Sequence, residues 1–95
     1  MSAQDEPRHK GPVVDMLADE NEEALFADGL DAALVGIARR CGQPTLAVYD
    51  YEKCVKIFMD QGMDHEEAVE WMEFNVVGAW MGEHTPVWLC RPEEG

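Results

Sequence analysis

Asp64–Gly82 reads DHEEAVEWMEFNVVGAWMG, and the fold turns on how that stretch is read. Asp64 with Glu67 three residues on is a capping-box pattern, in which the aspartate oxygen accepts from the amide at the third helical position. Asp64, Glu66 and Glu67 also place negative charge at the positive end of the helix dipole. At about 100° per residue, Ala68, Val69, Met72, Val76, Ala79 and Trp80 share one side, and that side is expected to cover a core. Glu66, Glu70 and Glu73 fall opposite and face water. The pattern predicts one helix over residues 64–82.

The second half of that helix carries more apolar surface than one stripe needs. Trp71, Phe74, Val77 and Met81 lie outside the core side, and a helix apolar nearly all round wants a second partner. A chain of 95 residues has little material with which to wrap it. Burial under a loop or the terminal strand of the same fold is one outcome; the other, taken as the expectation, makes these side chains interface anchors, with Glu66, Glu70 and Glu73 steering a basic partner. Gly78 and Gly82 stand four apart, and each glycine costs about 1 kcal/mol in a helix interior. Both are expected where another backbone packs closely. Asn75, at the edge of the core side, is expected to be a hydrogen-bonded structural residue.

Upstream, Asp50 is a natural N-cap for a helix over 51–61, with Tyr51, Cys54, Val55 and Phe58 on its buried stripe. Gly62 follows as the residue that lets the chain leave the helix. Helices 51–61 and 64–82 then form an αα-hairpin. Residues 32–40 (AALVGIARR) and 45–49 (TLAVY) are read as strands joined across Cys-Gly-Gln-Pro; a helix over 32–40 is the alternative. Gly36 marks a bulge or a place where a helix presses on the sheet. Residues 24–27 are read as a short first strand before the Asp28-Gly29 turn, and 86–89 as a last strand opened by Pro86. The expected class is α+β: a small, mostly antiparallel sheet with the αα-hairpin on one face. Residues 1–22, rich in Pro, Gly and charge, are expected to be a disordered acidic tail in which Val13, Val14, Met16 and Leu17 form an apolar island, with docking of that island as a helical turn the alternative. One domain spans 23–91, and 92–95 is a frayed end.

Twenty acids against seven bases give a net charge of −13. That balance argues against direct binding of a nucleic-acid backbone, which needs cations to neutralise phosphates. It suits attraction to a basic protein surface, or imitation of a nucleic acid. Cys41, Cys54 and Cys90 are odd in number and lack C-x-x-C spacing, as expected of free thiols in a reducing cytoplasm and not of a zinc site. No long apolar run or signal-peptide pattern points to a membrane. Ser2 is the one serine, and no phosphate-binding glycine loop occurs, so neither a serine nucleophile nor a cofactor is expected. Asp28, Asp31 and His84 are the residues a metal-dependent enzyme would use; the two aspartates fall short of a calcium loop, and turn chemistry explains them better.

Residues 24–89 also carry a pattern: Asp28-Gly29, Tyr49-Asp50, Glu73-Phe74-Asn75, Gly78-Ala79-Trp80 and Thr85-Pro86. In these the chain resembles a family of small acidic uncharacterised proteins of bacteriophage and prophage genomes. The resemblance implies an accessory protein in the cytoplasm of a host bacterium and assigns no catalytic role. The expected function is non-catalytic binding of a protein partner, as modulator or inhibitor of a host or phage factor, by a chain that also forms a homodimer. The alternatives are a nucleic-acid mimic, a homo-oligomeric structural module and, last, the metal-dependent enzyme.

Overall fold

Runs of branched and aromatic residues make strands of Leu34–Ala38 (β1) and Leu46–Asp50 (β2). They pair antiparallel, with Ile37 opposite Ala47 and Ala38 opposite Leu46. The register slips between Leu34 and Gly36, a bulge that increases the local twist. No atom lies within 4 Å of where a Gly36 Cβ would stand, so the bulge, and not a pressing helix, accounts for that glycine. Val87–Leu89 (β3) adds to the other side of β2 in parallel, with Trp88 opposite Tyr49. The result is a three-stranded, mostly antiparallel sheet in the order β1-β2-β3, and with its helices the fold is α+β.

The first strand expected at 24–27 is not formed. The Ala27 N–H donates to the Tyr49 hydroxyl at 2.8 Å, and the Leu25 N–H donates to the His84 carbonyl at 3.2 Å. With those amides satisfied outside a ladder, the segment lies over the core without pairing. The Asp28-Gly29 turn is present, with Gly29 at φ +86°.

The computed structural model describes residues 11–92, so the parts of the expected tail and frayed end at 1–10 and 93–95 lie outside the described residues. Inside them, Pro12–Glu20 is a helix (α1) that starts on its proline, where the missing N–H is one the helix would leave unpaired anyway. Leu17 on α1 is fully buried in the same core as Tyr49 and Met72. The expected disordered tail is therefore corrected for this segment: its apolar island is a docked helix.

Asp50 closes β2 and caps Tyr51–Asp60 (α2), its carboxylate accepting from the Lys53 N–H at 3.1 Å. At the far end the Gly62 N–H bonds the Met59 carbonyl at 3.0 Å and the Met63 N–H bonds the Phe58 carbonyl at 3.3 Å. That pair of bonds is the Schellman closure, which needs the positive φ of Gly62. His65–Trp71 (α3) begins on the complete capping box: Glu67 N–H to Asp64 at 2.9 Å and Asp64 N–H to Glu67 at 3.2 Å. α2 packs on β2 and on α3.

The α-helix does not run to residue 82. After Trp71 the chain widens into a π-helix over Met72–Val77 and stops at Gly78. The Gly78 N–H reaches five residues back to the Glu73 carbonyl at 3.1 Å. A side chain at 78 would put its Cβ 2.9 Å from that same oxygen. Gly78 is thus tight against its own turn, and not against another element as expected. Gly82 lies beyond the helix at φ +103° with nothing within 4 Å of its missing Cβ; it serves the loop conformation, not packing. Gly78→Ala is expected to lower stability by about 1–2 kcal/mol through this overlap. Thermal unfolding followed by circular dichroism checks it, and an unchanged midpoint would mean that the turn relaxes without cost.

Candidate functional site

The early end of the helix decides which aromatic residues meet solvent. Phe74 is 80 % exposed, Trp80 74 %, Met81 69 % and Trp71 45 %. Trp71, Phe74 and Met81 stand where the sequence places them, outside the core. Val77 does not: it is half-buried against the core cluster, because the wider π turn rotates it inward. Trp80 and Ala79 are corrected the other way. Both belong to the core stripe of a continuous helix, yet the helix stops two residues before Trp80 and both are exposed. Asn75 is likewise exposed and not buried at a core edge.

Two hollows flank this end of the chain. One, of about 360 Å³, is mainly apolar and is lined by Leu25, Trp71, Val76, Met81, Pro86 and Trp88 among others. The other is lined by Met63, Glu67, Glu70, Trp71, Phe74 and Asn75. Trp71 and Asn75 line both, so they form the ridge between an apolar groove and a mixed one that carries the Glu67 and Glu70 carboxylates. Phe58 supports the ridge from below, its ring 6.4 Å from that of Trp71. Trp88, on β3, leans on Tyr49 at a ring separation of 5.4 Å. Met81 is held by Thr85, whose hydroxyl accepts from the Met81 N–H at 2.8 Å and donates to the Gly82 carbonyl at 2.7 Å.

The acidic residues divide into two groups. Glu66 and Glu70 are exposed on α3. Glu73 is occupied: the Tyr51 hydroxyl donates to it at 2.7 Å. Burial and that carboxylate push the Tyr51 phenol up to about 12, so the bond keeps its proton across the neutral range.

The residues suited to metal chemistry are not assembled. Among the described residues no group of three His, Cys, Asp or Glu could hold an ion. His84 is instead a structural clip. The Asn21 side-chain amide donates to the Thr45 carbonyl at 2.8 Å and lies 3.0 Å from His84 Nδ1, while its oxygen accepts from the Glu23 N–H at 3.0 Å. With both amide hydrogens pointed outward, Nδ1 is the acceptor and the imidazole proton belongs on Nε2. Nε2 lies 3.3 Å from Glu23 and 3.8 Å from Glu83. Asp28 and Asp31 lie near Tyr49, whose phenol is pushed up to about 12, chiefly by burial. Cys54 is buried, and burial with the neighbouring Asp50 raises its thiol to about 11, which keeps it protonated at neutral pH.

Sequence reasoning missed Trp80, Trp88 and Thr85 as parts of this end of the molecule. One signal was available for the first: a glycine after an apolar helical run is a stop signal, and Gly78 read so would have put Trp80 outside the helix. No family model, no curated protein and no solved structure matches the chain. No helix among the described residues is long and apolar enough to cross a membrane.

Proposed function

We propose that the protein acts by binding another protein through this aromatic end, without catalysing a reaction, as an accessory factor of the phage type that the sequence resembles. The observation that carries the reading is the exposure of Phe74, Trp80 and Met81, each more than two-thirds open to solvent, beside the half-exposed Trp71. Bulky apolar side chains grouped in this way mark interaction surfaces, and aromatic anchors supply most of the energy where partners meet.

A random-peptide library panned against the immobilised full chain tests it. Binders are expected, and Phe74→Ala with Met81→Ala is expected to weaken their capture at least about tenfold. Both side chains point into solvent, so the double variant keeps its fold. A library that yields no binder, or binders indifferent to both substitutions, refutes the reading.

A further inference from the structure

We infer that the segment this face receives is basic: a bulky apolar side chain seats in the apolar groove, and an arginine beside it crosses the Trp71–Asn75 ridge to lie against Glu67 and Glu70. The inference rests on the binding reading above and adds the chemistry of the partner. Three features of the site carry it. Trp71 and Asn75 line both hollows, so a chain crossing the ridge passes from the apolar groove into a hollow where Glu67 and Glu70 stand beside Met63 and Phe74. Glu70 is exposed, and no side-chain hydrogen bond or ion pair engages it among the described residues. Trp71 presents a half-exposed indole, the ring that attracts a cation over its face most strongly. Arginine fits better than lysine here, because its planar guanidinium stacks on the ring while its fork of donors reaches carboxylates.

Charge also separates this occupant from a second copy of the chain. Another copy would bring its own Glu67 and Glu70, and a further net charge of −13, against the same face. Like charges brought together across an interface cost affinity, whereas opposite ones steer encounter and fix register.

The sequences of the selected peptides decide the matter. Arginine is expected beside an aromatic or aliphatic residue in most binders. Arg→Lys in the best of them should weaken binding to the full chain about fivefold or more, and Arg→Glu should abolish it. Glu70→Gln should weaken the same peptide at least about fivefold, with a smaller dependence on salt, whereas Glu22→Gln, the same charge change at an exposed residue that lines neither hollow, should leave it unchanged. Trp71→Leu should erase the preference for arginine over lysine while keeping the apolar contact. Binders without basic residues, or equal responses to Glu70→Gln and Glu22→Gln, overturn this inference and leave the binding reading intact. A library that yields nothing overturns both. Sedimentation showing a dimer broken by Phe74→Ala assigns the face to a second copy and overturns the basic segment.

Discussion

Leu17→Ala is expected to destabilise the protein by about 2–5 kcal/mol, although the residue lies in a stretch whose composition looks like a tail. Leu17 is fully buried and belongs to the one core cluster, with Leu30, Ala33, Tyr49 and Met72. The truncation removes the anchor of α1 and leaves a void among residues that cannot all collapse into it. A small domain has a total stability of about 5–15 kcal/mol, so much of the folded margin is at stake. Met16→Ala is the matched control: the neighbouring side chain is half exposed, and its loss should stay within about 0.5 kcal/mol. Urea unfolding of both variants checks the pair. Equal, small effects would mean that α1 rests on the domain without belonging to it.

Arg91→Ala carries the second large effect, about 2–3 kcal/mol. Asp50 is almost fully buried, caps α2 through the Lys53 amide, and is paired with the Arg91 guanidinium. Removing the arginine leaves a carboxylate inside the fold without its cation. The expected cost is set below that of a wholly buried pair because the Arg91 side chain is itself 55 % exposed. Burial pushes the Asp50 carboxyl up, but Arg91 and the amides of Lys53 and Glu52 together outweigh it and hold the group below its ordinary value of 3.8. A carboxyl lowered in the folded state binds its proton less readily than in the unfolded chain. Its contribution is therefore complete above that ordinary value and is lost as the pH falls through the lowered one. Without Arg91 the burial effect is less opposed, so acid unfolding of Arg91→Ala should begin at a higher pH than in the parent. Unfolding free energies measured down through the carboxylate range test this, and superimposable acid limbs would contradict it.

What the sequence disclosed was mostly local. The Asp64–Glu67 capping box, the Asp50 cap and the Gly62 exit each depend on a few adjacent residues whose chemistry has one good solution, and each is present, while Gly36 allowed two readings of which the bulge is present. The α+β class followed, because those signals fix where strands stop and helices start. The misses were of two kinds, some needing knowledge of distant atoms and some local. Residues 24–27 look like a strand until the Tyr49 hydroxyl takes the Ala27 amide. The run to residue 82 looks like one helix because an α-helical period was imposed on turns that are π-helical, and a single change of period displaced Val77, Ala79, Trp80 and Gly82 together. Pro12 belongs to a stretch whose composition reads as disordered, although proline is also a favoured first residue of a helix. At the candidate site, the exposure of Trp71, Phe74, Glu66 and Glu70 could be read from the helical wheel, whereas Met81 is exposed because the helix has already stopped. The two-sided ridge could not, since half its walls come from residues 25–30 and 81–88.

The parallel pairing of β2 with β3 sets an order on how the molecule assembles. An antiparallel hairpin such as β1–β2 can close as soon as its two strands exist, but a parallel partner must wait until the whole connection between them has been laid down. Here that connection is α2, α3 and the π turn, so Val87–Leu89 can pair only once that connection exists, and the three-residue strand is held by the Trp88 contact with Tyr49 and by the Arg91–Asp50 pair just beyond it. Those two ties, and not the length of the strand, therefore set how readily the C-terminal edge opens when the native state breathes. Trp88 and Pro86 travel with it, so any such opening removes one wall of the apolar groove.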